Sequence, residues 1–420
     1  MDVQMLIKKE LGGASRIVAS SPGRADFLNT HQDYKGLPVV PVAINLRTYI
    51  FAKPLKEDVF IVKSLDLEEH GEPAVDTFRV GENDMLERDW FGNYFRGIVN
   101  VIVKQGLIHK LRGMHAIVKS EIPICSGLSS SAALEVAFAT LLNHVCELEY
   151  NEKDLAEIAY LAETGEVGVP CGRLDQYGVA FGGIIKLECR PPYKVEPLPF
   201  TDLTWAVLDS GFRHSTAEIH PFRQADIDRG LRALMKDELA PEKLKAKLGY
   251  RYDQPMWEKI TEQEIERYLP HLDERASKRI LFTIRMQKST EFALQILRLE
   301  KISEQMAIKN LGKERWELIK GKPLKERSHR ILGEIMNDQQ ALLRDLYEVS
   351  LPEIDNICTA ALEAGAYGAK ISGAGMGGSI IALIRDIETG HKVVEAGLSA
   401  GAEQGWVLTV GTGARMEPSS

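Results

Sequence analysis

The stretch PICSGLSSSAAL, Pro123 to Leu134, decides how the chain is read. Ser126 and Gly127 precede Leu128, three serines follow, and Ala132, Ala133 and Leu134 are good helix formers. This order predicts a tight loop opening into a helix. The first backbone N–H groups of a helix lack internal partners and carry the positive end of its dipole. Small residues let an anion approach them, so the stretch is a candidate phosphate cradle. The serine hydroxyls can cap the helix or hold a metal ion. An ordinary N-capped helix after a turn fits the same residues. No lysine follows the glycine, as a Walker loop requires, and the spacing is not a dinucleotide fingerprint.

The surrounding chain sets bounds on this reading. A chain of 420 residues has room for two or three domains. With 44% hydrophobic and 27% charged residues it has a globular composition. The net charge of -8 argues against nucleic acid or an anionic membrane as the main partner. No apolar run approaches the ~20 residues of a membrane span, and the first residues, MDVQMLIKKELGG, do not read as a secretion signal. The five cysteines, at positions 125, 146, 171, 189 and 358, form neither a disulfide framework nor a zinc pattern. A reducing cytoplasm is the expected compartment.

Working outward, helices are expected over residues 2–13, from Trp90 to Gln105, from the serine loop to Cys146, and from an Asn151 cap to about Glu166. Strands are expected at Arg16–Ser20, Val39–Ile44, Thr48–Ala52, Val59–Ser64, His115–Ser120, Ile184–Glu188 and Trp205–Asp209. Ser21-Pro22-Gly23 reads as a turn. YGAKISGAGMGGSIIALI reads as strand, glycine turn and strand, and Val407–Val410 as a last edge strand. From Ser215 to Glu363 the pattern is helical and charged, with the weakest periodicity in 235–275 and 300–330.

Three other stretches add chemistry to the loop. Glu163 and Asp175 flank a Pro170–Gly172 break. One carboxylate suits Mg²⁺ with a serine and ATP oxygens, and the other suits proton transfer from a hydroxyl. A solvated helix acid and an N-cap are the plain alternatives. Arg24 and Asp33 lie in a dense polar run, GRADFLNTHQDY. The cation can stabilise charge on a transferring phosphoryl group, and Asp33 and His31 can hold sugar hydroxyls. A surface ion pair is the alternative. The third stretch is the glycine run 373–378, either a tight turn or a close backbone approach to a ligand.

In this order and spacing the segments resemble the GHMP small-molecule kinases, and within them the galactokinase branch. PGRADFLNTHQDYKGLPVVP, PICSGLSSSAALEVA and KISGAGMGGS are similar to the three ordered family motifs. AET…GVPCGRLDQ, DSGFRHS and LRDLYEVSLPEID are galactokinase-like. The resemblance implies an α/β (α+β) two-domain GHMP kinase fold with the active site in the interdomain cleft. The expected domains are 1–180, binding nucleotide, and 181–420, with a charged helical insertion around 235–330. It implies ATP-dependent phosphorylation of the anomeric hydroxyl of a galactose-like sugar. Asp175 would be the base, with Arg24 beside it. Glu163 and Ser131, or Ser130, would hold Mg²⁺. Ser126, Gly127, Leu128, Ser129, Ser130 and Ser131 would wrap the ATP phosphates, with Trp90 and Asn93 on the adenine side. His31, Asp33 and Gly172 would bind the sugar. Sugar and ATP are the expected partners, with neither nucleic acid nor membrane.

The chain departs from that family at three positions. Galactokinases carry a sugar-binding Glu where Thr30 stands. The family's Tyr after the RHS segment matches His220 across a one-residue deletion. Arg173 replaces an apolar residue. An acid is lost and basic groups are gained, so an anionic sugar such as galacturonate becomes a candidate substrate. The alternative for Arg173 is solvent or a pair with Glu166. Galactokinase proper and a catalytically silent sugar sensor are the competing functions. The RHS and YEVSLPEID segments count against the mevalonate and homoserine branches.

Overall fold

The structure, a computed structural model, describes residues 7, 10–11, 17–82, 84–87, 90–123, 127–213 and 216–418. Its strands in chain order are β1 (Ile17–Leu28), β2 (Val40–Pro54), β3 (Val59–Ser64), β4 (Val75–Arg79), β5 (Met114–Ser120), β6 (Ile185–Leu187), β7 (Val195–Pro197), β8 (Thr204–Asp209), β9 (Gly368–Ser372), β10 (Ser379–Ile384), β11 (Gln404–Thr409) and β12 (Arg415–Met416). The longer helices are α1 (Gly92–Lys104), α2 (Ser130–Val145), α3 (Glu152–Leu161), α4 (Leu174–Phe181), α5 (Thr216–Lys236), α6 (Glu274–Leu297), α7 (Glu304–Leu311), α8 (Leu324–Asp345), α9 (Pro352–Glu363) and α10 (Ile387–Ser399). None is long and apolar enough to cross a membrane.

Two compact units result. Unit 1 is Met1–Arg24, Val42–Gly183 and Gly411–Ser420, and unit 2 is Ala25–Pro41 and Ile184–Val410. The break after Gly183 lies near the expected one at 180, but the two ends are exchanged relative to a simple split. Residues 25–41 fold with unit 2, where several of their polar groups find partners. Lys370 donates to the Asp26 carbonyl at 3.1 Å and Asn29 Nδ2 to Gln287 Oε1 at 2.8 Å. The C-terminal residues fold with unit 1. Arg47 donates to the carbonyls of Thr412 (2.7 Å) and Gly413 (2.8 Å), and Ala19 of β1 pairs with Met416 of β12.

Unit 1 holds a six-stranded sheet in the order β12-β1-β2-β5-β3-β4, with β3 and β5 parallel. The period of two in VFIVKS buries Phe60, Val62 and Ser64 and leaves their neighbours half-buried. Phe60 and Phe95 both set ring edges against Phe138 of α2, with centroids 6.0 and 4.8 Å away. Each such buried ring contributes roughly 1.5–3 kcal/mol relative to exposure. Helix α2 is buried on nearly all faces between Ala132 and Leu142, as its mostly apolar sequence, interrupted by Glu135 and Thr140, requires.

The expected turn at Ser21-Pro22-Gly23 does not form; β1 runs straight through it to Leu28. The reason is tertiary. Arg24 N donates to the Leu128 carbonyl at 3.1 Å, and a Cβ on Gly23 would lie 2.8 Å from that same oxygen. Gly23 is therefore a close-approach glycine rather than a turn glycine. Likewise Val39–Ile44 and Thr48–Ala52 merge into one strand, β2.

Unit 2 holds the antiparallel sheet β11-β8-β10-β9 and the small hairpin β6-β7. Strands β9 and β10 are buried at every residue, and their side chains join Leu343 and Tyr347 beside β9 and Ile354 and Ile357 of α9 in one core. A second core gathers Ile227, Leu231, Trp257, Ile265 and Ile280 around Leu37. The weakly periodic 235–275 segment thus folds as short helices, Glu242–Lys245 and Glu262–Ile265, joined by turns.

Candidate active site

In unit 1 the serine loop and the acid-bearing helices converge on Arg24. Its Nε and Nη2 donate to Asp175 Oδ1 at 2.9 and 2.6 Å, and Nη1 donates to the Gly127 carbonyl at 2.8 Å. The other Asp175 oxygen accepts from Ser129 Oγ at 2.8 Å. Both oxygens of Asp175 are thereby oriented. The guanidinium is nearly buried, which strengthens its hold on the acid. Asp175 sits in the first turn of α4, where the helix dipole also favours negative charge. Ser129 precedes α2 with a left-handed φ of 59°, strain held in place by its hydroxyl bond to Asp175. Its hydroxyl is bonded to the acid. Leu128 is buried and Ser130 opens α2. Ser126 lies outside the described residues.

Glu163 stands in a π-helical turn, Ala162–Val167, that continues α3. Asn151 caps α3 as expected, with a reciprocal bond from Asp154. The wider turn re-aims Glu163 inward, a habit of functional sites. Its Oε1 accepts from Ser131 Oγ at 3.0 Å, and Oε2 accepts from Gln176 Nε2 at 2.5 Å and Cys171 Sγ at 3.6 Å. The Glu163 carboxyl is pushed up to about 7, by burial first and by Asp175 second. A nearly buried carboxylate bonded to a serine hydroxyl, with no ion-pair partner among the described residues, is a donor set that could hold Mg²⁺. Of the two serines considered for the metal, Ser131 is the one bonded to Glu163.

Other expected residues are placed as follows. Asn93 is 2% exposed and its amide is spent on the 86–87 backbone: Oδ1 accepts from Leu86 N at 2.8 Å and Nδ2 donates to Glu87 O at 2.8 Å. These bonds fix the loop that precedes α1. Trp90 is half-buried against Phe91 and keeps an indole N–H with no hydrogen-bond partner among the described residues. Gly172 is exposed. Arg173 does not pair with Glu166. It donates from Nε and Nη2 to Glu157 at 2.7 and 3.2 Å and lies 3.9 Å over the Tyr160 ring. Glu166 is bonded to Lys104 instead.

Unit 2 carries the polar run after β1. Thr30 is buried, and its hydroxyl accepts from Lys370 Nζ at 2.9 Å. His31 donates from Nε2 to the Ala374 carbonyl of the glycine turn at 3.0 Å. Its Nδ1 is then left to accept, and the Tyr34 hydroxyl is 3.4 Å away. Tyr34 in turn bonds Tyr347. Burial first, then His220 and Lys35, hold His31 well below the usual imidazole range. His220 packs on His31 and Tyr34 at 5.2 and 5.0 Å between ring centroids, and burial and Lys35 push it down to about 4. Asp33 opens the short turn Asp33–Lys35 and is half-buried. The glycine turn itself is held by Met376 N donating to Val349 O at 2.7 Å and Gly378 N to Phe212 O at 2.9 Å.

Sequence reasoning missed several residues. Glu135 on α2 is fully buried, and neither of its oxygens finds a hydrogen-bond partner among the described residues. Burial first, then Glu163 and Asp175, push its carboxyl well above the usual range. Its spacing of four from Ser131 places both on one helix face, the only signal available in advance. The bonds of Ser129 to Asp175, Glu157 to Arg173 and Lys370 to Thr30 had no local signal.

Comparison with known proteins bears on these positions. Family models match for the GHMP kinases N terminal domain at residues 93–183, the GHMP kinases C terminal at 322–402, and the galactokinase galactose-binding signature at 8–54. The galactokinase of Roseiflexus sp. (strain RS-1) is 30% identical over 374 residues, covering 88% of this chain and 83% of that protein. The Thermococcus kodakarensis galactokinase is 30% identical over 370 residues, covering 87% and 88%. The solved structure of Lactococcus lactis galactokinase complexed with galactose is similar in fold, with a TM-score of 0.75, 24% identity and coverage of 99% and 100%. The chain belongs to the GHMP kinases, and within them to the galactokinase-like sugar kinases.

Proposed function

We propose that the chain is a galactokinase that transfers the γ-phosphoryl group of ATP to the C1 hydroxyl of galactose. The observation that carries this is the position of Arg24, which bonds both the acid Asp175 and the backbone of the serine loop at Gly127. One cation thus ties a candidate base to a candidate phosphate cradle. Asp175 would accept the C1 hydroxyl proton as the oxygen attacks, and Arg24 would offset the charge that develops. Ser131 and Glu163 would hold Mg²⁺, which supplies charge neutralisation to the phosphates when bound. The N–H groups at the start of α2 would bind phosphate oxygens, and Asp33 and His31 would orient the sugar.

A neutral sugar is favoured over a uronic acid. The Arg173 charge, which suggested an anionic substrate, is already balanced by Glu157 and shared with Tyr160. Burial pushes both His31 and His220 down from the usual imidazole range, which disfavours an imidazolium beside the sugar. The relatives' names and the galactose-binding signature support the same choice. The test is ADP release with galactose, galacturonate, glucuronate, arabinose and N-acetylgalactosamine, with the product's phosphate position read by NMR. Galactose 1-phosphate as the preferred product is expected. Preferred turnover of galacturonate, or phosphate on another hydroxyl, overturns the proposal.

A further inference from the structure

The turn that carries Asp33 and Tyr34 is buttressed by a segment lying between the stretches the family models match. Leu37, 1% exposed, is buried in the core built by Ile227, Trp257 and Ile265. Arg190 fills the space beside Gly36 and donates to the Pro255 carbonyl at 2.6 Å. From the same turn Tyr252 sets its ring edge-on to Tyr34, with centroids 5.8 Å apart and planes at 79°. Tyr34 also contacts His220, so the three rings are contiguous. Tyr252 is fixed through its own peptide groups. Its N–H donates to Asp228 Oδ1 at 2.6 Å, and its carbonyl accepts from the indole of Trp257, which is 1% exposed, at 2.9 Å. Its side chain is half-buried.

This is the construction of a recognition surface rather than of a loose connection. An aromatic side chain is held by fixed peptide groups, remains half-buried, and stands beside Tyr34 of the turn whose Asp33 is the candidate sugar-hydroxyl ligand. A pyranose offers an apolar C–H face to such rings and its hydroxyls to groups such as Asp33. The rings are uncharged: His220 is neutral, and the buried Lys35 ammonium is enclosed by Tyr34, Phe282 and Tyr347.

We propose that Tyr252 is a specificity-determining residue for the sugar, forming with His220 and Tyr34 a neutral aromatic wall that takes the C–H face of a pyranose. This rests on the sugar-kinase function proposed above. The experiment compares the full-length parent, Tyr252→Ala and Tyr252→Phe for KM and kcat with galactose, its 2-deoxy and 6-deoxy analogues, and ATP. Thermal denaturation of each variant is measured alongside. Tyr252→Ala should raise the galactose KM about tenfold and change the kcat/KM ratio between galactose and at least one deoxy analogue at least fivefold. The ATP KM should stay within twofold. Tyr252→Phe should lie nearer the parent for galactose KM. Unchanged sugar KM and unchanged ratios in Tyr252→Ala overturn the proposal. So does a parallel rise of the sugar and ATP KM with a lowered Tm, which marks a structural role only. A parent enzyme that phosphorylates none of these sugars overturns the proposed function instead, which keeps the two failures distinct.

Discussion

Two N–H groups of Arg24 converge on a single oxygen of Asp175, while the second oxygen of that acid is held by Ser129. The acid is therefore oriented from both sides. Asp175→Asn keeps the shape and loses the proton acceptor, so kcat should fall by about 10²–10⁴ while galactose still binds. Arg24→Lys loses the fork geometry and should also lose kcat, because an ammonium cannot make the paired bonds. Full activity in Asp175→Asn would show that the base lies elsewhere. Steady-state kinetics with equilibrium binding of galactose provides the measurement.

Ser129 separates hydrogen bonding from backbone strain. Its hydroxyl orients Asp175, and its left-handed φ costs about 1–2 kcal/mol in a residue with a Cβ. Ser129→Ala should lower kcat about tenfold without gaining stability. Ser129→Gly should lower kcat equally and raise Tm, because glycine adopts that φ freely. Equal Tm values for the two variants would remove the strain from the account.

Glu163 links stability to pH. Its folded value of about 7 lies above the ordinary 4.5. Between those values the folded chain keeps a proton that the unfolded chain has released, so stability falls as pH rises through that window. Above about 7 the whole penalty applies, on the order of 3 kcal/mol at about 1.4 kcal/mol per pKa unit. Glu163→Gln should therefore match the parent near pH 4 and exceed it in Tm near pH 8. Gln176, whose buried Oε1 has no partner among the described residues, can turn to accept from the introduced amide. Added Mg²⁺ should stabilise the parent and not the variant, and the variant should lose activity. Melting curves from pH 4 to 8 settle it; a pH-independent difference would contradict the raised value.

Thr30 anchors a buried cation. The Lys370 ammonium is fully buried and donates to Thr30 Oγ1, Asp26 O and Ile371 O at 2.9, 3.1 and 2.6 Å. All three N–H groups are satisfied. Thr30→Val keeps the volume and removes one acceptor, leaving a buried donor unpaired at about 1–3 kcal/mol. A lowered Tm is expected, and an unchanged Tm would show that the hydroxyl is dispensable.

Arg173 is expected to be structural. Arg173→Ala removes the pair with Glu157 and the packing on Tyr160, and should cost about 1 kcal/mol of stability. The galactose-to-galacturonate ratio of kcat/KM should not change. A selective loss on galacturonate would return Arg173 to the sugar.

Much of the fold was legible because its signals are local. The Asn151 cap, the alternation in β3 and the apolar run of α2 each act within a few residues. The glycine-turn-strand pattern near the C-terminus was equally plain. The turn expected at Pro22-Gly23 failed because the deciding contact, the Leu128 carbonyl, lies about a hundred residues away in the chain. The charge of Arg173 was visible, while its bond to Glu157 on the preceding helix was set by how the two segments pack.

The sequence by itself determined the kinase family, because the family motifs are contiguous stretches whose residue types, order and spacing are carried by the chain itself. Tertiary structure decided what each group is free to do. Hydrogen bonds act over about 3 Å, and only folding shows that Ser129 serves Asp175, that Asn93 is spent on its own loop, and that Tyr252 stands beside Tyr34.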